Sequence, residues 1–199
     1  HGPQGYEDVA LVKDRCRHTA NLYSLDRELE RSKEVFVKHY RQQYGMARPP
    51  IWAAAEVMSF GLLSRFYANL AVSSLRKDIA QTYDFAPDAF ESLVHHIVYL
   101  RNLCAHHARL WNREFVVTVK LPRKRPAEVV SCLNPEKDRR LYNSLILLDH
   151  FANVVDPSSD WRQRLSAHLL TLPAGSLADM GFPQDQCPPF SAQQPIPSR

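Results

Sequence analysis

No apolar stretch in this sequence approaches the roughly 18 residues needed to cross a bilayer, because charged or polar residues interrupt each one. A membrane span is therefore not expected, and the chain reads as cytoplasmic. Cysteine is scarce. Cys16, Cys104, Cys132 and Cys187 lie far apart and form no C-x-x-C pair, which fits free thiols in a reducing compartment better than a disulfide framework. There is no glycine-rich phosphate loop, no G-x-S-x-G elbow and no carboxylate cluster suited to two-metal chemistry. The start at His1-Gly2-Pro3 carries no apolar h-region and no signal cleavage site, so it reads as part of a longer protein rather than a secretory product.

What is present is an ordinary globular composition. Apolar residues make up 45% of 199 residues, which excludes wholesale disorder. The net charge of +4 permits an anionic partner such as RNA without demanding one.

Helical periodicity dominates. Leu22, Leu25, Leu29, Val35, Phe36 and Tyr40 recur at three- and four-residue intervals and predict one helix from about 22 to 44, closed by Gly45. Pro50 suits the first turn of the next helix, Ile51–Met58, which is apolar nearly all round and so is expected at the centre of the core. Ser59-Phe60-Gly61 should interrupt it before Leu62–Leu70. Further helices are expected over about 73–83, 87–111, 135–155 and 159–170. Phe115–Val119 is the one strand candidate, and a single strand makes an extended loop or small hairpin at most. The expectation is an all-α bundle of about seven helices, one domain over 1–172, with a Pro-rich tail over 173–199 that holds at most one turn near 176–180.

The helix beginning at Pro87 carries the most informative pattern. At 100° per residue, Leu100, Leu103, Cys104, His107, Leu110 and Trp111 form an apolar stripe. Asn102, His106, Arg109 and Arg113 form a second stripe, flanked by Arg101. On this reading His107 is a buried structural imidazole, and His106 is the histidine available for chemistry. Imidazole exchanges protons near neutral pH, and guanidinium binds phosphate oxygens in a two-pronged fork. RNA supplies its own nucleophile in the 2′-hydroxyl. A histidine among arginines is thus a candidate for metal-free RNA cleavage. Arginine and asparagine on an exposed helix are also commonly just solvated, so the spacing alone leaves both readings open.

The stretch from Leu100 through Arg101-Asn102-Leu103-Cys104-Ala105-His106-His107 to Arg113 resembles the signature of the Abi-like (AbiD/AbiF) abortive-infection family. Pro49-Pro50-Ile51-Trp52 with Glu56-Val57-Met58-Ser59-Phe60-Gly61 resembles a second signature of that family, and Phe36-Val37-Lys38-His39-Tyr40 ahead of Tyr44-Gly45 agrees. The resemblance implies the HEPN superfamily, whose motif is Arg, four to six residues, then His. It further implies a helical, metal-independent endoribonuclease of a phage-defence or toxin–antitoxin system. In that reading Arg101, Asn102 and His106 are catalytic, RNA is the substrate, and an antitoxin is a further partner. Family members usually carry a substantial region ahead of the first long helix, and this chain is expected to begin inside it. Arg101 and His106 are five residues apart, about 140° around a straight helix, so one copy makes a poor site. HEPN proteins usually combine two motifs across a dimer, and a homodimer is expected here.

Other groupings are weaker. Arg109 and Arg113, with the basic loop of Lys120, Arg123, Lys124 and Arg125, are candidates for RNA binding, although a solvated loop is the plainer reading. Glu56 and His107 are candidates to orient the site, Glu56 by bonding Arg101 or His107. His95 and His106 would lie about 16 Å apart along one helix, too far for a shared ion. Cys104 with His107 has no second pair of zinc spacing. No metal and no cofactor is expected.

Overall fold

In the computed structural model, residues 1–45 and 48–183 are described, and they form two compact units, His1–Asp78 and Ile79 onward. Among the described residues there are ten α-helices and no strand, so the fold is all-α. The elements are α1 (Arg15–Arg31), α2 (Val35–Tyr44), α3 (Ile51–Val57), α4 (Phe60–Asn69), α5 (Ser73–Thr82), α6 (Pro87–Ala105), α7 (Ala127–Cys132), α8 (Leu141–Val155), α9 (Trp161–Leu170) and α10 (Ser176–Asp179).

In the first unit, the Asp14 carboxylate accepts from the Arg17 amide and starts α1. The single helix expected over 22–44 is two. Ser32 adopts an extended backbone, and its hydroxyl accepts from the Glu34 amide at 3.3 Å. That local side-chain bond competes with helix continuation and splits the run into α1 and α2. Gly45 closes α2 at φ 68, in the left-handed region where glycine carries no Cβ penalty. Helix α1 packs on α3 and α4, and Leu25, Leu29, Val37, Ala54 and Leu62 form the buried centre. Ser59 caps α4, which is where the interruption was expected.

Helix α3 is not the central core helix that its composition suggested. Trp52 is 63% exposed and Ile51 37%, and Ala54 alone is fully buried. Seven residues make two turns, and the small alanines let only one side approach its neighbours closely.

The second unit is built around α8. Leu141 through Leu147 are all buried, so its first two turns are enclosed on every side, and the helix packs on α7 and α9. Tyr142 donates its hydroxyl to the Cys132 carbonyl at 2.7 Å, and its amide donates to the Met180 carbonyl at 2.9 Å. Burial pushes the Tyr142 phenol up to about 12. Phe182 packs edge-on against the same ring, so packing continues beyond residue 172 and the turn of α10 belongs to it. The rest of the Pro-rich stretch, residues 184–199, lies outside the described residues.

The segment 115–119 is a loop without strand pairing, with Phe115 and Val119 buried. Its anchor is His96 on α6, which is 1% exposed. The His96 Nδ1 lies 2.9 Å from the Val117 carbonyl and Nε2 lies 2.8 Å from the Ser144 hydroxyl. Since a carbonyl only accepts, Nδ1 carries the proton, and Nε2 accepts from Ser144. This neutral imidazole ties α6, the loop and α8 together. Burial, opposed by the Val117 bond, lowers its pKa below the usual 6.5.

Candidate functional site

Helix α6 ends six residues earlier than the wheel assumed, at Ala105. The His107 amide donates to Cys104 O at 3.0 Å and the Ala108 amide to Leu103 O at 2.8 Å, while His107 sits at φ 53. This pair of bonds around one left-handed residue is a standard helix C-terminus, usually built on glycine. Histidine is among the residues that tolerate this conformation better than most, at the cost of a crowded Cβ. The buried role expected for His107 is therefore overturned: its side chain is exposed, and its backbone terminates the helix. His96 is the buried structural histidine of α6 instead. Its spacing from Leu93 and Leu100, three and four residues away on the same stripe, was the available signal.

This assignment makes a prediction. His107→Gly is expected to raise stability by about 1 kcal/mol by relieving the left-handed strain, and His107→Val to lower it by a similar amount or more. Thermal melting of the two variants checks it. A glycine variant that melts below the valine variant would show that the side chain matters more than the backbone conformation.

The early stop changes how the remaining residues are placed. His106 is the capping residue, and its amide still donates to Asn102 O at 3.0 Å, so Asn102 and His106 share the last turn. Arg101 donates from Nη1 to the Asn102 side-chain oxygen at 3.2 Å. All three side chains are exposed. The Asn102 side chain thus bonds Arg101. Arg109 and Arg113 no longer continue a helical stripe. They lie on the loop that leaves α6, which the Arg113 amide closes by donating to Leu110 O at 3.2 Å. Arg113 is half-buried, and its Nε has no partner among the described residues.

Two residues that sequence reasoning missed hold this loop. Arg140 donates to the Asn112 side-chain oxygen at 2.9 Å, and Arg139 donates from Nε to the Phe115 carbonyl at 3.1 Å. Both precede α8, and no local pattern announces contacts across 24 and 28 residues. The outcome is a run of four arginines (109, 113, 139 and 140) bound into or bordering one loop.

The basic loop divides. Lys120 pairs with Asp88 at 2.8 Å, and Arg125 lies 4.0 Å from Asp84, while Arg123 and Lys124 are exposed. Exposed pairs of this kind are weak and can exchange their partner for a phosphate. Helix α7, which begins two residues after Arg125, was not expected from the sequence. Glu56 is exposed on α3 in the first unit, so the burial cost that suggested an orienting role for it is absent.

The first unit contains a cleft of about 540 Å³ that none of the sequence-predicted residues lines. Three of its charged residues are paired: Arg48 holds Asp26 through two bonds of 2.7 and 2.8 Å and Glu7 through one of 2.7 Å. Among the described residues, no three His, Cys, Asp or Glu side chains are grouped so as to hold a metal ion, and no helix is long and apolar enough to cross a membrane.

The geometry therefore offers an open cationic edge. One imidazole and one guanidinium stand at the C-terminal end of α6, and further arginines follow on an anchored loop. A family model described as Abi-like protein matches residues 2–112, which spans both the first unit and the Arg101–His106 segment. No curated protein and no solved structure matches the chain.

Proposed function

Since the chain belongs to the Abi-like family, a name that points to abortive infection and so to phage defence, we propose that it is a metal-independent endoribonuclease of the HEPN type. The observation that carries this reading is the exposed group Arg101–Asn102–His106 at the C-terminal end of α6, with Arg101 bonded to the Asn102 side chain. Guanidinium and imidazole are the two functions that metal-free cleavage of RNA requires.

The reaction uses the RNA's own 2′-hydroxyl. Its oxygen attacks the adjacent phosphorus as its proton passes to an imidazole, and the bond to the 5′-oxygen breaks as that oxygen takes a proton. The products are a 2′,3′-cyclic phosphate and a 5′-hydroxyl. Arg101 stabilises the extra negative charge on the phosphoryl oxygens. One His106 performs only one of the two proton transfers at a time. A two-fold dimer that brings a second His106 to the same phosphate supplies both, with one acting as base and the other as acid. The exposed edge suits completion by a second copy. The same exposure leaves the site open to coverage by an antitoxin.

The test is incubation of the purified chain with end-labelled single-stranded RNA in excess EDTA. Cleavage is expected. Tight binding without cleavage would support a non-catalytic RNA-holding module in its place, and neither binding nor cleavage would remove RNA from the account.

A further inference from the structure

Trp111 has no part in the chemistry above, yet it stands on the loop that leaves α6, five residues after His106. Its side chain is 41% exposed. Among the described residues of the second unit, it is the only aromatic among the large hydrophobic side chains that remain exposed. The Arg109 guanidinium lies over its ring, 5.9 Å from the centroid. That contact keeps a positive charge beside the ring.

The loop under Trp111 is held rather than free. Asn112 takes a left-handed backbone at φ 48, and its side chain accepts from Arg140. The Phe115 amide and carbonyl both bond Arg139, at 2.9 and 3.1 Å. An exposed indole on an anchored loop, flanked by arginines, is the kind of surface that unpaired nucleobases stack on, while the adjacent cations hold the backbone. In an A-form duplex the base faces are already covered by their neighbours, so such a platform has nothing to grip.

We infer that Trp111 is a base-stacking platform that makes the site selective for single-stranded RNA, holding an unpaired base next to the phosphate that His106 and Arg101 address. This rests on the ribonuclease reading and adds the substrate class to it. Arg109 acts with Trp111, neutralising a neighbouring phosphate.

The test uses the full chain carrying His106→Ala, so that RNA is bound without being cut. Binding of a short single-stranded RNA containing 2-aminopurine is compared with binding of the corresponding duplex, with Trp111 intact and as Trp111→Ala or Trp111→Phe. Stacking on an aromatic side chain contributes enough that the alanine variant is expected to lose roughly 5- to 150-fold in affinity for the single strand. Duplex affinity should change little, the phenylalanine variant should keep most of the binding, and quenching of 2-aminopurine should disappear with alanine. Equal losses for single strand and duplex, or no loss for either, would overturn the inference, as would conversion of a dimer to monomer by Trp111→Ala. The two layers separate cleanly. A chain that cuts RNA in EDTA with Trp111→Ala as active as the parent refutes the stacking platform alone. A chain that neither binds nor cuts RNA refutes the ribonuclease reading and the platform with it.

Discussion

His106→Ala is expected to reduce single-turnover RNA cleavage by about 10²- to 10⁴-fold, the range over which a positioned acid–base group contributes. It should do so without unfolding the chain. The His106 side chain is exposed at the end of α6, and its structural contribution is a backbone amide bond to Asn102 that alanine keeps. Surface changes of this type shift stability by about 0.5 kcal/mol or less. Activity and melting temperature should therefore part company. Arg101→Lys retains the charge but loses the planar guanidinium fork. A substantial loss is expected for it too. If His106→Ala cleaves as fast as the parent chain, the acid–base group lies elsewhere and the helix-end site is not the catalytic one.

His96→Ala should show the opposite pattern, with stability lost first. Truncation leaves a cavity under the Val117 loop and strands the buried Ser144 hydroxyl and the half-buried Val117 carbonyl. The two effects together amount to about 3 kcal/mol, and at this chain length each kcal/mol moves the melting temperature by roughly 2–4 °C. His96 also gives the fold a pH dependence. Its folded pKa lies below the ordinary 6.5, so under acid the unfolded chain takes up a proton that the folded chain resists. The contribution is intact above about pH 6.5 and is lost as pH falls towards the folded value. The chain should melt lower at pH 5 than at pH 7.5, and His96→Gln, which bonds without titrating, should narrow the gap. A gap of unchanged width would mean that His96 does not govern it.

How far the sequence could be read depended on whether the information was local. The start of α6 at Pro87, the stop at Gly45 and the break at Ser59 are local signals, and they lie where the residues suggested. The break at Ser32 and the end at Ala105 are local too, but they use a serine hydroxyl and a left-handed histidine, residues that more often sit inside helices or on their surfaces. The wheel failed beyond Ala105 because it assumed a helix where the backbone had turned. That one error placed His107 in the core and strung Arg109 and Arg113 along a face that does not exist. The sharing of the last turn by Asn102 and His106 survived, since it needs only the final intact turn. The anchoring of the Asn112 loop by Arg139 and Arg140 depends on how α8 packs, and no window of neighbouring residues contains it. The exposure of Trp52 shows the same limit from the other side, for an apolar helix can be half outside when its alanines already satisfy its neighbours.

The measurement that bears most directly on the central claim is the end chemistry of the cut RNA. After reaction in EDTA, the fragments are tested with a 2′,3′-cyclic-phosphate-specific ligation and with phosphatase and kinase labelling. Attack by the internal 2′-hydroxyl, assisted by His106 and Arg101, predicts a cyclic phosphate on the upstream fragment and a free 5′-hydroxyl on the downstream one. A 3′-hydroxyl with a 5′-phosphate, or cutting that stops when metal is chelated, would mean that water activated by some other group is the nucleophile, and the mechanism built on the last turn of α6 would be wrong.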